Sequence, residues 1–141
     1  MREKTVYNVL LILSPDSSRI LMCKRRKSPY KGLLNLIGGK VELGEDGLAA
    51  AYREMEEESG IAAKEICLTH MMDFTYHLSG ICLEVYAGRL RREIAVRGEE
   101  NALLWVNMDD NFFDMRRFAG EGNIGHMIEQ LKFFRERILE P

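Results

Sequence analysis

The chain has 141 residues, of which 46% are hydrophobic and 30% are charged, and its formal net charge is −2. This composition excludes an intrinsically disordered chain and suits a single globular domain spanning residues 1–141. The charge balance gives no basic excess to favour a nucleic-acid polymer, and the apolar runs are too short to span a bilayer, so we expect a cytoplasmic protein.

The predicted elements are mostly strands, with two helices placed between and after them. An apolar run predicts a strand over 6–13, and turn residues after it indicate a hairpin with 20–23. The other predicted elements are strands at 33–37, 66–78, 81–90 and 103–106, a helix over 46–59 stopped by Gly60, and an amphipathic helix over 124–138. This order predicts an α/β or α+β sandwich.

The three cysteines, Cys23, Cys67 and Cys82, lie far apart within apolar strand-like runs. Zinc sites and disulfide frameworks show paired spacings that this chain lacks. We therefore interpret the cysteines as buried, reduced thiols.

Three glutamates of the first helix, Glu54, Glu57 and Glu58, fall on one face at about 100° per residue. Acids in a last helical turn oppose the helix dipole and repel one another. A divalent cation would reverse both effects, and Mg²⁺ prefers carboxylate oxygens. The alternative interpretation is a solvated acidic face.

The remaining faces of this helix are apolar or small. The predicted core stripe consists of Leu48, Ala51, Tyr52 and Met55. Gly47 and Ala50 lie above the acids on their own face, and we expect these small residues to leave room for a ligand.

The stretch from Gly39 to Ile61 resembles the Nudix signature, Gly-x5-Glu-x7-Arg-Glu-U-x-Glu-Glu-x-Gly-U with U aliphatic, and fills every specified position. The resemblance implies a Nudix-type α/β/α sandwich with a central mixed sheet. It also implies a hydrolase that uses Mg²⁺ or Mn²⁺ to cleave a phosphoanhydride bond of a nucleotide.

By the same resemblance, Glu57 and Glu58 correspond to the principal metal ligands. Glu54 corresponds to a ligand or to the base that activates water. A further acid is expected in the loop before the Trp-containing strand, where Glu100 is the first candidate for a ligand or base and Glu99 the second.

The resemblance also assigns supporting roles. Arg53 corresponds to the arginine that orients a signature glutamate through a charge-assisted hydrogen bond, and Glu45 to a residue that supports this arginine. Gly39, with Gly38 as the alternative, corresponds to the glycine whose carbonyl reaches the metal.

Two asparagines suggest how a base is recognised. Asn35 stands where MutT-like enzymes that act on oxidised purine nucleotides place a base-reading asparagine. Asn123 lies in a loop that resembles the MutT recognition loop, and it is equally suited to cap the last helix. The basic residues expected to contact the nucleotide are Lys24, Arg25, Arg26 and Lys40. For the first three, the alternative interpretation is a solvated strand end.

The chain therefore looks most like MutT-like oxidised-purine nucleoside triphosphate pyrophosphohydrolases, and the expected partner is a small-molecule nucleotide. Dinucleoside-polyphosphate and ADP-ribose pyrophosphatases are alternatives within the family, while a non-catalytic nucleotide sensor is the alternative of another class. Phe74, Tyr76 and Phe118 are interpreted as core residues, with stacking on a base as the alternative. The oligomeric state is left open.

Overall fold

A mixed sheet of six strands separates two layers of helix in the computed structural model, which describes residues 4–140. In chain order the elements are β1 (Thr5–Leu13), β2 (Arg19–Lys24), β3 (Leu34–Asn35), α1 (Gly47–Ser59), a 3₁₀ turn (Ala63–Glu65), β4 (Thr69–Tyr76), β5 (Ile81–Arg89), β6 (Ala102–Asn107), α2 (Asn123–Phe133) and α3 (Arg135–Leu139). The predicted mixed α and β fold is confirmed.

β1 is the centre of the sheet. It pairs in parallel with β5 along its whole length, and it forms the predicted antiparallel hairpin with β2. The sheet order is β3-β2-β1-β5-β4, and β6 also pairs with β2. Both the parallel and the antiparallel pairings therefore meet at β1.

Alternate residues of β1 face the two helical layers, because successive side chains of a strand point to opposite faces. Leu10 belongs to the core beneath α1, together with Met55. Leu11 belongs to the core beneath α2, together with Met127. The chain is thus a three-layer α/β/α sandwich, as the resemblance implied.

α1 lies closer to the sheet than its sequence suggested. Leu48 is 41% exposed, so its assignment to the core stripe is wrong, whereas Ala50 is fully buried. A Cβ at Gly47 would lie 2.5 Å from Oε1 of Glu84 and 2.7 Å from the hydroxyl of Tyr86. The small residues therefore bring the helix against the sheet rather than leave room for a ligand.

The C-terminal helix differs from the single helix predicted over 124–138. α2 ends at Phe133, and Phe134 has non-helical torsion angles of φ −106° and ψ 25° before α3 begins. An apolar repeat at helical spacing continues through this break and does not reveal it. Among the described residues, no helix is long and apolar enough to cross a membrane.

The cysteines are all free thiols, but only Cys23 is buried. Cys82 is partly buried and Cys67 is exposed. The prediction of burial is therefore confirmed for Cys23 alone.

α1 ends at Gly60, which adopts the left-handed conformation with φ 78° and donates its N–H to the carbonyl of Glu56. No atom lies within 4 Å of the position that a Cβ at Gly60 would occupy, so only backbone strain opposes a side chain there. We predict that Gly60→Ala lowers the free energy of unfolding by about 1 kcal/mol. Gly60→Asn should cost less, because asparagine tolerates this conformation. Equal urea midpoints for the two variants would contradict this account of the cap.

Candidate active site

The three glutamates of α1 lie together in one pocket, as the helical spacing predicted. This acidic pocket of about 160 Å³ is lined by Cys23, Glu54, Glu57, Glu58, Glu99, Glu100, Asn101 and Leu103. Five of its eight lining residues are glutamates, and none is a lysine or an arginine. The helix and the loop before β6 thus contribute acids to the same place.

Arg53 connects the acids of α1 to the preceding loop. Its Nε and Nη2 donate to the two carboxylate oxygens of Glu45 at 2.8 and 2.9 Å, and Nη2 also donates to the carbonyl of Lys40 at 3.2 Å. Its Nη1 donates to Oε1 of Glu54 at 3.0 Å and reaches Glu57 at 3.3 Å. One guanidinium therefore fixes the positions of two signature glutamates relative to the loop.

The surroundings shift the pKa values of two carboxylates in this region in opposite directions. Hydrogen bonds from Arg53 lower the pKa of Glu45 to about 2. Burial, followed by the nearby carboxylates of Glu54 and Glu100, raises the pKa of Glu58 to about 7. Burial and the neighbouring carboxylates therefore disfavour the charged form of Glu58.

The composition of the acidic pocket suits a hard divalent cation, because Mg²⁺ and Mn²⁺ prefer carboxylate oxygens. Within residues 4–140, no three acidic, histidine or cysteine side chains already surround one point as a metal site requires. Glu54 and Glu57 are instead turned toward Arg53. The carboxylate oxygens of the acidic pocket are therefore ligands of the type that Mg²⁺ or Mn²⁺ prefers.

Gly39 is positioned differently from the expectation that its carbonyl reaches a metal. That carbonyl accepts the backbone N–H of Asn8 at 2.8 Å, so it is used in pairing with β1. A Cβ at Gly39 would overlap the carboxylate of Glu54. Glycine is therefore required here by the close approach of Glu54, and Gly38 is the better candidate for a carbonyl ligand.

A second, larger pocket of about 540 Å³ adjoins the acidic pocket, and both are lined by Cys23, Glu58, Glu100 and Asn101. Of the predicted substrate-binding residues, Arg25, Asn35 and Asn123 line this large pocket. Among residues 4–140, Arg25 is the only basic residue in its wall. The structure thus brings these three residues to the same site as the acids.

The other predicted basic residues lie outside both pockets. Arg26 donates from its Nη1 to the carbonyl of Glu100 at 3.2 Å, so its guanidinium supports the acidic loop. Lys24 and Lys40 are exposed and line neither pocket. A basic cluster at the end of a strand does not reveal which of its side chains turn inward.

Asn35 and Asn123 make contacts that the sequence did not indicate. Oδ1 of Asn35 accepts the N–H of Leu36 at 2.8 Å. Asn123 is not the N-cap of α2, because Gly122 occupies that position. The Nδ2 of Asn123 instead donates to the hydroxyl of Tyr76. Tyr76 is 38% exposed and lines the large pocket, so its assignment to the core is wrong.

The other two aromatic assignments agree with the structure. Phe118 is 1% exposed, and Phe74 is partly buried against the same core cluster. Neither of them lines the large pocket.

The residues of the large pocket that the sequence analysis missed include Tyr7, Asn8 and Tyr30. The sequence contained a signal for Asn8, because it is a polar residue inside a dense apolar strand. The sequence contained no such signal for Tyr30, because its position depends on the conformation of a loop. In this loop Tyr30 has a φ of 69°, and its O–H donates to Glu121 at 2.8 Å.

The contact between Glu45 and Arg53 makes a testable contribution to stability. Because the pKa of Glu45 is lowered from 4.5 to about 2, the stability it provides is complete above pH 4.5 and is lost as the pH falls toward 2. We predict that Glu45→Gln is less stable than the wild type at pH 7, and that this difference shrinks over that interval. Chemical unfolding at several pH values, without added metal, measures it. A difference that does not change with pH would contradict the prediction.

Comparison with known proteins matches residues 4–130 to the NUDIX domain family. The chain is 32% identical over 96 residues to a Bacillus subtilis protein named ADP-ribose pyrophosphatase, covering 67% of this chain and 50% of that relative. It is 45% identical over 53 residues to a Methanocaldococcus jannaschii protein of the same name, covering 38% of this chain and 31% of that relative. The chain thus spans half or less of the length of these curated relatives.

Among solved structures, the fold resembles that of a MutT NUDIX hydrolase from Burkholderia pseudomallei. The two are 28% identical with a TM-score of 0.68, covering 92% of this chain and 99% of that one. This likeness and the family match confirm the resemblance inferred from residues 39–61. The chain belongs to the NUDIX domain family.

Proposed function

We propose that the chain is a divalent-metal-dependent pyrophosphohydrolase that cleaves a phosphoanhydride bond in a nucleoside diphosphate-linked substrate. The observation that carries this proposal is the continuity of the two pockets through Glu58 and Glu100. A nucleotide with its base in the large pocket has its phosphates beside the acids. Membership of the family supports the same reaction class.

The metal ligands that we propose are Glu54, Glu57, Glu58 and Glu100, with a backbone carbonyl from Gly38. Bound Mg²⁺ or Mn²⁺ would neutralise phosphate charge and lower the pKa of the attacking water. The chain's own residues then orient the reaction. Arg53, held by Glu45, keeps Glu54 and Glu57 in place and so fixes the face of α1 that meets the phosphates.

Glu54 is the residue proposed to accept the proton of the attacking water. Its side chain is only 12% exposed, and Arg53 binds Oε1, which leaves Oε2 for the water or the cation. Glu100, in the loop opposite, is the alternative base.

For the substrate, we propose a purine nucleoside triphosphate, a class that includes the oxidised purine nucleotides. The products would be the monophosphate and pyrophosphate. Oδ1 of Asn35 is bonded to the backbone, so its Nδ2 is the group left to contact a base edge. Tyr76 adds an exposed aromatic ring to the same wall, and Arg25 adds a cation for the phosphates.

ADP-ribose is the second candidate substrate, and it is favoured by a different observation. Both curated relatives carry the name ADP-ribose pyrophosphatase. A substrate of this kind also places a diphosphate beside the acids, with a second ribose in place of the terminal phosphate.

A nucleotide panel with Mg²⁺ distinguishes these substrates. We predict the highest kcat/KM for a purine triphosphate, with pyrophosphate and the monophosphate as products, and lower values for pyrimidine triphosphates, ADP-ribose and diadenosine polyphosphates. Pyrophosphate release and chromatography of the products measure this. A higher value for ADP-ribose, with AMP and ribose 5-phosphate as products, would replace the triphosphate assignment. No hydrolysis of any member would favour the non-catalytic sensor.

Glu57→Gln tests the metal site itself, because it removes a charged ligand while keeping the shape of the side chain. We predict that kcat with Mg²⁺ falls by about a hundredfold or more, while the melting temperature stays within a few degrees of the wild type. The matched control is Glu56→Gln, one residue away on the same helix and exposed like Glu57, but outside both pockets. Similar kcat values for the two variants would remove Glu57 from the proposed ligands.

A further inference from the structure

Asn101 lies at the junction of the two pockets, and the proposed mechanism gives it no role. It lines both the acidic pocket and the large pocket, as do Cys23, Glu58 and Glu100. Among residues 4–140 in the wall of the acidic pocket, it is the only one whose side chain carries an N–H group. The other polar side chains of that wall are five carboxyl groups and one thiol.

The pairing of β2 with β6 indicates that the side chain of Asn101 faces the acidic pocket. The paired residues Cys23 and Leu103 both line this pocket, whereas the next pair, Lys24 and Ala102, is exposed and lines neither pocket. Side chains alternate between the two faces along a strand. Continued one residue before β6, this alternation places Asn101 on the side of Leu103, in agreement with its position in the pocket wall.

The backbone of Arg26 determines which end of the Asn101 amide is available to a ligand. The N–H of Arg26 donates to Oδ1 of Asn101 at 3.1 Å. Turning the amide over would place two donors against each other. The group that Asn101 can offer to an occupant of the acidic pocket is therefore the donor Nδ2.

A neutral donor in this wall is suited to a phosphate oxygen. The carboxylates of the pocket can hold a divalent cation, but they are acceptors when ionised and cannot bind the phosphate oxygens that the cation leaves free. The amide of an asparagine can donate to such an oxygen. Because the amide carries no charge, it does so without repelling the cation, as a lysine or an arginine in the same place would.

We infer that Asn101 contacts the substrate directly, donating from Nδ2 to a phosphate oxygen while Oδ1 fastens the acidic loop to the end of β2. This inference rests on the proposed function, because it takes the phosphates of the nucleotide to lie in the acidic pocket. The loop before β6 then supplies two complementary groups to the site. Glu100 offers a carboxylate to the cation, and Asn101 offers a donor to the phosphate.

Two variants separate these two bonds of the amide. Asn101→Asp keeps an acceptor for the N–H of Arg26 and replaces the donor with a second oxygen, whereas Asn101→Ala removes both groups. Asn111→Asp is the matched control. Oδ1 of Asn111 also accepts a backbone N–H, that of Phe113 at 3.2 Å, but the residue is exposed and lies outside both pockets.

Two probes separate the phosphate from the cation. The first is imidodiphosphate, a nonhydrolysable diphosphate without base or sugar, titrated by calorimetry in the presence of saturating Mn²⁺. The second is Mn²⁺ alone, followed by the electron paramagnetic resonance signal of the free ion. A melting curve of each variant shows whether the loop is still fastened.

We expect both Asn101 variants to bind imidodiphosphate about five- to tenfold more weakly than the wild type, which is the loss of one hydrogen bond. The affinity for Mn²⁺ alone should stay close to the wild-type value in Asn101→Ala. In Asn101→Asp it should be at least as high, because a carboxylate is added. Asn111→Asp should match the wild type with both probes. If Asn101→Ala does not fold, Asn101→Asp carries the test, since it keeps the bond to Arg26.

Three outcomes would overturn the inference. Wild-type affinity for imidodiphosphate in Asn101→Asp would mean that Nδ2 binds no phosphate. A loss of affinity for Mn²⁺ alone in Asn101→Ala, as large as the loss for imidodiphosphate, would mean that Asn101 acts only by positioning Glu100. A wild type that does not bind imidodiphosphate has no phosphate contact to lose. Failure of the proposed function is seen separately, as a wild type that hydrolyses none of the nucleotides, and it leaves the binding result standing.

Discussion

The site depends on one guanidinium. Arg53 is hydrogen-bonded on one side to Glu45 and to the carbonyl of Lys40, and on the other to Glu54 and Glu57. Without it, carboxylates in the last turns of a helix would repel one another and turn toward solvent. The planar fork of arginine suits this arrangement, because its five N–H donors point in fixed directions that one lysine ammonium cannot reproduce. The signature is thus an electrostatic unit in which the guanidinium of Arg53 holds the acids where the proposed divalent cation would bind.

β1 gives this unit its position relative to the large pocket. Its residues alternate between the cores of the two helical layers, and near its start Asn8 pairs with Gly39 through both backbone and side chain. Because Gly39 has no Cβ, the carboxylate of Glu54 reaches the same corner. A strand, a glycine loop and a helix therefore converge within hydrogen-bonding distance, and the large pocket opens along the same strand. Shifting β1 by one residue would move Asn8 to the opposite face and break the hydrogen bond between its side chain and Gly39.

The sequence predicted the features that depend on local spacing. The bounds of α1 and its acidic face follow from local spacing, the pairing of Arg53 with Glu45 was implied by the resemblance to the Nudix signature, and the structure contains all three. The features that it could not predict depend on contacts across the fold. Asn8 and Gly39 are separated by 31 positions, and no local pattern joins them. The exposure of Leu48 is set by the rotation of α1 against β5, and apolar periodicity alone fixes such a rotation only roughly.

Under the proposed function, the distribution of charge favours binding of the substrate and the metal together. Of the residues that the structure describes, no basic one lies in the wall of the acidic pocket, and the large pocket has Arg25 against Glu58, Glu100 and Glu121. A polyphosphate that approached this surface without a cation would meet net repulsion at short range, where screening by salt is weak. A cation without a nucleotide would meet carboxylates that are partly held by Arg53. Each charged partner removes the obstacle to the other, so their affinities are coupled, and by thermodynamic linkage the coupling is reciprocal. If the proposed function is correct, a site of this composition would bind the complex of phosphate and metal in preference to either one alone.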